Sequence, residues 1–255
     1  MKLDRRNQIA DMIRQQRTVT NGELMSRFNI SIETVRRDLE YLEQQGYLRR
    51  VYGGAVSVAS LNSEPEYASR ANTHFDEKTA IALEASKFIG AQDAIYLGVG
   101  TTVQALVPYI KNLDNVTVFT NALRTAIELS ESPNCTVIIP GGQLRPKELT
   151  VSGFPAEDNF NHFNVDTAFI GIGGVTESGI TDFYIGEAQI HKRLIQNARR
   201  SIVLADSTKL GMKAVVNVCK LGDVDMVITD SGAPKHIVKA LEQAGVRVII
   251  AKDKK

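Results

Sequence analysis

Apolar residues recur at helical spacing near the start of the chain. Between residues 31 and 46 the apolar positions are Ile32, Val35, Leu39 and Leu42. They lie three or four residues apart and form one face of an amphipathic helix. Ser31 is a residue type that caps a first helical turn, and Gly46 suits the position just past the last turn. The pattern therefore predicts a helix that begins beside Ser31 and ends before Gly46.

Two shorter helical patterns precede this one. The first runs from Arg5 to Gln16, and the second follows Thr20, with Glu23 placed three residues later as in a capping box. The pair at residues 29–30 leaves room only for a tight turn before Ser31. Two short helices joined by such a turn predict a helix-turn-helix.

The polar face of the helix after Ser31 carries chemistry suited to DNA. Arg37 lies nearly opposite the apolar stripe, because successive helical residues are about 100° apart. Glu33, Thr34 and Tyr41 flank it, and Arg36 lies at the edge of the stripe. Arginine contacts guanine edges or phosphates, threonine a phosphate or a thymine methyl, and glutamate a cytosine amine. The alternative is a solvated helix face on which these charges form surface ion pairs.

A β-hairpin is predicted directly after this helix. Residues 47–54 alternate between apolar and polar types and end in the pair Gly53-Gly54. Such a hairpin suits the wing of a winged helix-turn-helix. Arg49, Arg50 and Tyr52 would then reach the DNA backbone or the minor groove.

Many positions of this region match a known family pattern at fixed spacing. They are Val19, Glu23-Leu24, Phe28 to Ser31, Thr34 to Leu39, Leu42-Glu43, Gly46, Leu48 to Arg50 and Gly53 to Ala55. With them the chain resembles the DeoR-type winged helix-turn-helix. The resemblance implies a bacterial transcription regulator, most often a repressor of a sugar-catabolic operon, with a double-stranded DNA operator as partner. The DNA-contact candidates are Thr20, Ser31, Glu33, Thr34, Arg36, Arg37, Arg49, Arg50 and Tyr52.

The pattern divides the chain into a DNA-binding domain over residues 1–58, a linker over 59–74 and an α/β domain over 75–252. Small polar residues and Pro65 predict the linker. Beyond it strands alternate with helices, which predicts a mostly parallel sheet covered on both faces. The predicted strands are 94–97, 116–120, 136–139, 168–172, 201–205, 226–229 and 246–250. The predicted helices are 76–89, 102–110, 122–131, 186–198 and 234–244.

Ligand sites in such sheets lie beyond the carboxyl ends of the strands. The loops there are rich in glycine, hydroxyl, amide and charged residues, which predicts a small anionic, hydroxylated ligand. The candidates are Gly100, Thr101, Thr102, Thr120, Asn121, Gly141, Gly142, Arg145, Glu187, Lys192 and Lys209. The alternatives are that the glycines only form tight turns and that the lysines are ordinary surface residues.

These loops also resemble the DeoR effector domain. The shared features, in order, are the Gly-Thr-Thr turn, the Thr-Asn pair, the Gly-Gly pair with a following Arg, the Ser-Gly pair and the Asp-x-x-Lys motif. The resemblance implies a fold similar to ribose-5-phosphate isomerase and glucosamine-6-phosphate deaminase, and an effector that is a phosphorylated sugar or sugar alcohol. This chain departs from the pattern at Gly98-Val99, where many members have Asp-Ser, and at Ala122, where many have Ser.

The composition and charge of the chain add little to the predicted fold and function. The 255 residues carry a net charge of +1, while residues 1–60 contain ten Lys or Arg against seven Asp or Glu, a weakly basic head. We expect a cytoplasmic protein without membrane partner, because the charged start is unlike a secretory signal and no apolar run approaches a membrane span. Two cysteines and four scattered histidines predict neither metal nor cofactor.

Two functional alternatives accompany the repressor hypothesis. One is a sugar-phosphate isomerase on the same scaffold, for which Asp206, Glu187 and Lys209 offer a base and a cation. An enzyme has no use for a helix-turn-helix, however. The other is a transcriptional activator of the same architecture. A regulator that reads two half-sites must also be at least a dimer, so a homodimer or homotetramer is expected.

Overall fold

The computed structural model describes residues 2–16, 18–44, 48–57 and 64–252. The chain separates into two compact units, residues 1–65 and residues 66–255. The expected helix stop at Gly46 and the expected boundary between residues 58 and 59 lie outside the described residues. The fold class expected from the sequence is confirmed: a winged helix-turn-helix followed by a parallel α/β domain.

The first unit contains three helices and a small sheet. Its elements are α1 (Lys2–Gln16), β1 (Thr18–Thr20), α2 (Asn21–Phe28), α3 (Ile32–Gln44), β2 (Leu48–Val51) and β3 (Gly54–Ser57). The core is formed by Ile9 and Ile13 of α1, Leu24 of α2, and the stripe of α3. Burying these apolar side chains is what holds the helices together.

The sequence correctly predicted the start of α2 but not the strand before it. The Thr20 hydroxyl accepts from Glu23 N–H at 3.2 Å, and Glu23 in turn accepts from Thr20 N–H at 2.7 Å. This is the expected capping box. Thr20 also ends β1, which pairs antiparallel with β3, so the predicted hairpin is the outer part of a three-stranded sheet.

Gly54 is required by the close approach of these two strands. A Cβ at Gly54 would lie 2.0 Å from the carbonyl oxygen of Val19. No side chain can occupy that position without separating β1 from β3. Gly54 therefore lets the wing pack closely against β1, whereas Gly53, with φ +85° and open space around it, serves the turn.

The second unit is built on a seven-stranded parallel sheet. Its strands are β4 (Ala94–Leu97), β5 (Val116–Thr120), β6 (Cys135–Ile138), β9 (Thr167–Ile170), β12 (Ser201–Leu204), β14 (Met226–Thr229) and β15 (Arg247–Ile250). All seven were predicted from the sequence. Their spatial order is β15-β14-β12-β9-β4-β5-β6. Successive strands are added first on one side of β4 and then on the other, so the order reverses between β4 and β9.

Helices cover the two faces of this sheet. They include α5 (Phe75–Ser86), α6 (Thr101–Gln104), α7 (Val107–Ile110), α8 (Leu123–Ser130), α10 (Ile185–Asn197) and α11 (Lys235–Gln243). The single helix expected over residues 102–110 is wrong, because the chain forms α6 and α7 instead. Pro108 has no N–H to donate and stands in the first turn of α7, where a helix tolerates it.

Several short elements went unpredicted. They are β7 (Gln143–Arg145), β8 (Thr150–Ser152), α9 (Phe154–Phe160), β10 (Gly174–Thr176), β11 (Gly179–Asp182) and β13 (Val216–Cys219). β7 pairs with β8, and β10, β11 and β13 form a small antiparallel sheet. The strands among them mix polar and apolar residues over only three or four positions, unlike the mostly apolar strands of the large sheet.

The expected linker over residues 59–74 is wrong in its second half. Residues 67–72 form helix α4 (Tyr67–Asn72), which belongs to the second unit. Arg70 makes a buried ion pair with Glu148, and the guanidinium of Arg124 lies 4.4 Å from the centre of the Tyr67 ring. These contacts with distant residues hold a segment whose own sequence, small and polar, gives little indication of a helix.

Candidate DNA interface and effector site

The polar face of α3 is open, as the pattern predicts. Val35 and Leu39 are buried in the core of the head, whereas Glu33, Arg36 and Arg37 are exposed and Thr34 is half-buried. The exposed side chains belong to the first two turns of the helix. A helix with this distribution can enter a major groove without disturbing its own core.

Ser31 organises the start of α3. Its hydroxyl accepts from Thr34 N–H at 3.4 Å and lies 3.2 Å from the Thr34 hydroxyl. Hydrogen bonds to the backbone of Glu33 and to Ser31 lower the pKa of the Glu33 carboxyl, and Arg36 and Arg37 lower it further. The carboxylate at the edge of this face is therefore charged at neutral pH.

Asp38 holds α3 against α1 and was not singled out from the sequence. Arg5 Nε donates to its Oδ2 at 2.7 Å, and Arg6 Nε donates to its Oδ1 at 2.8 Å. The carboxylate is fully buried, and Arg6 also lies over the Tyr41 ring at 3.9 Å. The sequence did carry a signal, because Asp38 falls on the buried stripe, three residues after Val35.

The two wing arginines have different surroundings. Arg50 donates to Glu43 through its Nε, and its backbone N–H donates to the same carboxylate, both at 2.7 Å. Arg49 is exposed, and Tyr52 is fully exposed at the tip of the hairpin. Arg50 therefore joins the wing to the end of α3, whereas Arg49 and Tyr52 project into solvent.

In the second unit, the candidate glycine loop lies where the strand order reverses. Gly100 has φ +133° and precedes α6, which begins at Thr101. A Cβ at Gly171, just after β9, would lie 2.1 Å from the carbonyl oxygen of Val99. The loops after β4 and β9 therefore touch at the crevice where open α/β sheets bind their ligands.

Thr120 and Asn121 are buried beside this loop, and their side chains are engaged. The Thr120 hydroxyl donates to the carbonyl of Leu97 at 2.7 Å and accepts from Ala122 N–H at 3.0 Å. Asn121 accepts from the Tyr96 hydroxyl at 2.7 Å and donates to Val151 at 3.1 Å. The pair thus fastens β4, β5 and β8 at the crevice.

Arg145 and Glu187 are brought together across 42 residues. Arg145 Nη1 donates to Glu187 Oε1 at 3.1 Å, and the Thr150 hydroxyl donates to the same oxygen at 2.7 Å. The carboxylate is almost fully buried, and the guanidinium also lies over the Tyr184 ring. Gly142 directly precedes the hairpin of β7 and β8, and Gly141 comes just before it. A Cβ at Gly142 would lie 2.5 Å from the Ser152 carbonyl oxygen.

A second buried carboxylate, Asp182, pairs with His191. The Nδ1 of His191 lies 3.1 Å from Asp182 Oδ2, and Phe183 N–H donates to the other oxygen at 2.8 Å. Burial raises the pKa of Tyr96 well above its ordinary value, with further contributions from Glu187 and Asp182. Two buried carboxylates of this unit thus disfavour ionisation of one buried tyrosine.

Lys78, a buried lysine not predicted from the sequence, interacts electrostatically with Lys209. The Nζ of Lys78 is buried and donates to the carbonyl of Thr73 at 2.6 Å and to that of Arg70. Burial lowers the pKa of Lys78; Asp206 opposes this shift, and Lys209 adds to it. Lys78 falls on the buried stripe of α5 with Ile81, Ala82 and Ala85, a position that could have marked it as unusual.

Lys192 does not join the other candidates. It is exposed and lines a cavity of about 700 Å³ together with Lys213 and Lys220. None of the other candidate effector residues lines that cavity. The buried positions of α10 include Glu187, Ile190, His191 and Leu194, so helical spacing places His191, not its neighbour Lys192, on the same face as Glu187.

Two family models match the chain. The DeoR-like helix-turn-helix domain matches residues 5–61, and the DeoR C-terminal sensor domain matches residues 73–231. The chain belongs to the DeoR family of transcriptional regulators.

Relatives from this family align over almost the whole chain. The HTH-type transcriptional regulator YulB of Bacillus subtilis is 36% identical over 96% of this chain and 95% of its own. The HTH-type transcriptional regulator GolR of Listeria innocua is 32% identical over 97% of this chain and 98% of its own. The glycerol-3-phosphate regulon repressor of Escherichia coli is 30% identical over 93% of this chain and 94% of its own. These relatives are regulators, which excludes the isomerase alternative.

Among solved structures, ribose 5-phosphate isomerase A of Methanocaldococcus jannaschii is similar over 54% of this chain and 55% of its own, with 20% identity and a TM-score of 0.41. The described parts of this DeoR-family chain contain no cluster of three His, Cys, Asp or Glu side chains that could hold a metal ion. No helix within those same parts is long and apolar enough to cross a membrane.

Proposed function

We propose that this DeoR-family regulator represses a sugar or polyol catabolic operon and is released from its operator by a phosphorylated sugar or sugar alcohol. The observation that carries the DNA half of the proposal is the exposed first two turns of α3. Arg36, Arg37 and Glu33 project from a helix whose opposite face is fully packed. The regulons named for relatives, such as that of glycerol 3-phosphate, support the choice of pathway.

The effector half rests on the chemistry gathered at the strand-order reversal. Arg145 and Glu187 offer a cation and a carboxylate, and Asn121 and Tyr96 offer polar groups beside the Gly100 loop. Lys209 and Lys78 add positive charge near Asp206. A cation and backbone amides suit a phosphate, whereas carboxylate and amide groups suit hydroxyls. A phosphorylated polyol combines both requirements.

Control of DNA binding requires that the effector bind the free and DNA-bound states with different affinity. Calorimetry on the full chain should show binding of one or more sugar phosphates and not of their unphosphorylated parents. The same ligand should weaken operator binding in gel-shift titrations at fixed salt. Equal binding of the phosphorylated and unphosphorylated compounds would contradict the proposal that the effector carries a phosphate.

A double variant tests effector sensing separately from DNA binding. Thr101→Ala with Lys209→Ala should leave operator affinity unchanged and abolish the response, which gives an uninducible repressor. Lys235→Ala, a change of similar kind on α11, is the matched control and should respond normally. Operator binding by two subunits implies a dimer or tetramer, which sedimentation with and without operator DNA would measure. A reporter in a deletion strain distinguishes repression from activation.

A further inference from the structure

One buried histidine in the second unit has a ring nitrogen without a partner. His191 is only 1% exposed, and its Nε2 finds no hydrogen-bond partner among the residues the structure describes. Buried polar atoms are nearly always hydrogen-bonded, so an exception of this kind marks a place where another group belongs.

The other ring nitrogen fixes the orientation of the imidazole. Asp182 accepts from Phe183 N–H with Oδ1 and faces His191 Nδ1 with Oδ2, at 3.1 Å. A carboxylate has only acceptors to offer, so Nδ1 carries the hydrogen. Nε2 is then directed away from Asp182 by a hydrogen bond that holds the ring in one tautomer and one orientation.

Nε2 lies beside Gly98, where β4 ends next to β9. A Cβ added at Gly98 would lie 3.3 Å from Nε2 and 3.1 Å from the Phe169 carbonyl oxygen. Gly98 is the residue that directly follows β4 and begins the loop to Gly100. The absence of a side chain at Gly98 therefore leaves the His191 ring and the Phe169 carbonyl facing this part of the loop.

We propose that His191 is a specificity-determining residue of the effector site, whose Nε2 hydrogen-bonds a hydroxyl group on the sugar or polyol part of the phosphorylated ligand. A hydroxyl both donates and accepts, so it can satisfy Nε2 in either protonation state of the ring. The hydroxyl approaches from the side that a methyl on Gly98 would block, and binding includes a small displacement of the Gly98 turn. This inference rests on the proposed sensing of a sugar phosphate.

The wild-type chain provides a test without any substitution. Two-bond ¹H–¹⁵N spectra report each histidine nitrogen, and the chain has four histidines. The probes are glycerol 3-phosphate, ribose 5-phosphate, glucose 6-phosphate and mannitol 1-phosphate, with inorganic phosphate as the comparator. We expect a bound ester to shift the Nε2 resonance of His191 and to leave His74, His162 and His236 unchanged. Inorganic phosphate, which has no polyol hydroxyl, should leave all four unchanged.

Two variants extend the test to affinity. His191→Gln should weaken binding of the ester roughly ten-fold, the loss expected for one buried hydrogen bond. Gly98→Ala should weaken it as much or more, because the methyl occupies the approach to Nε2 while the His191–Asp182 pair stays intact. Gly90→Ala, where a Cβ would meet Asp93 only at ordinary contact distance, is the matched control and should bind normally.

The outcomes separate this inference from the function on which it rests. If an ester binds and releases the operator but neither shifts Nε2 nor loses affinity in His191→Gln, the inference is overturned and the proposed function stands. A shift produced equally by inorganic phosphate would also overturn it, because phosphate and not a hydroxyl would then meet the ring. If none of the esters binds a chain that binds its operator, both the sugar-phosphate effector and this inference fail.

Discussion

The two units build their sites in opposite ways. In the head, all candidate DNA contacts except Thr20 come from the start of α3 and the hairpin that follows it, within residues 31–52. In the second unit, Glu187 meets Arg145 from 42 residues away, and Tyr96 meets Asn121 from 25 residues away. A site made from neighbouring residues is visible as a periodic pattern, whereas one assembled by a parallel sheet depends on strand order, which the pattern does not contain.

Each unit also contains a buried carboxylate that accepts hydrogen bonds from arginine. The two carboxylates differ in their surroundings. Asp38 is enclosed by Arg5 and Arg6 and serves the packing of α3 on α1. Glu187 accepts hydrogen bonds from Arg145 and Thr150 in the second unit. The arrangement around Asp38 needs no ligand, whereas we propose that Glu187 and Arg145 exchange hydrogen bonds with the effector.

The largest expected effect comes from removing the carboxylate in the head. Asp38→Ala leaves two arginines around a buried, unoccupied position and should lower the stability of the head by roughly 3 kcal/mol. Hydrogen exchange in the full chain should show the amides of α3 opening on the order of a hundred times more often, with the second unit unchanged. The matched control is Glu40→Ala, an exposed acid on the same helix, which should have little effect.

The corresponding substitution in the second unit, Glu187→Gln, tests whether this carboxylate has a different role from Asp38. Glu187→Gln keeps the shape of the side chain and should leave operator affinity as it is, while removing the response to the effector. If instead Glu187→Gln lowered the stability of the second unit as strongly as Asp38→Ala lowers that of the head, Glu187 would be a structural residue like Asp38.

A slightly smaller effect is expected at the joint between wing and head. Gly54→Ala places a methyl 2.0 Å from the Val19 carbonyl, so β1 and β3 must separate, at a cost of about 2–3 kcal/mol. Gly53→Ala is the matched variant: it has φ +85° but open space around it, and should cost only about 1 kcal/mol. Denaturant unfolding of the full chain measures both. Equal costs would show that backbone conformation, not the close approach, explains the glycine pair.

The two units also differ in how much of their structure could be predicted from the sequence. The reason is again the distance along the chain between the residues that make contact. The helices, the capping box at Thr20 and the hairpin were predicted, because each is set by residues within a few positions of one another. The seven strands of the large sheet were predicted too, since each is a short, mostly apolar segment that alternates along the chain with helices or loops. The short strand β8, which carries Thr150 to Glu187, could not be predicted, because three residues show no periodicity.

Lys192 and His191 are neighbours on α10, and only Lys192 was predicted from the sequence as an effector contact. Lysine is the expected cation for a phosphate, so residue type favoured Lys192. Helical spacing from Glu187 favours residue 191, and the structure buries that residue. Asp38 and Lys78 give the same lesson, since both are charged residues on an apolar stripe. A charged residue at a core position is more informative than a charged residue on a polar face.

An intermediate effect is expected on α3 itself. Arg37→Ala removes an exposed guanidinium opposite the buried stripe and should cost about 1–3 kcal/mol of operator affinity, with little effect on random duplex, if it makes a bidentate base contact. Arg36→Ala should weaken all duplexes more evenly. Gel-shift titrations at fixed salt on operator and random DNA distinguish the two, with Arg193→Ala on α10 as the control. A folded double variant that keeps full operator affinity would contradict the assignment of α3 as the recognition helix.

The smallest expected effect distinguishes the two wing arginines. Arg49 is exposed, so a phosphate contact by Arg49 releases about one counterion, and Arg49→Ala should flatten the slope of log affinity against log salt by roughly 0.9. Arg50 already shares its guanidinium with Glu43 in a partly exposed pair, so Arg50→Ala should change that slope less and affect operator affinity chiefly through the position of the wing. Glu43→Gln frees Arg50 without removing its charge and should move the Arg50 contribution toward that of Arg49. Binding titrations between 50 and 200 mM salt, roughly the range over which such slopes are measured, test all three variants. Identical slopes for wild type and Arg49→Ala would mean that the wing does not contact phosphate, and the DNA interface would then be confined to α3.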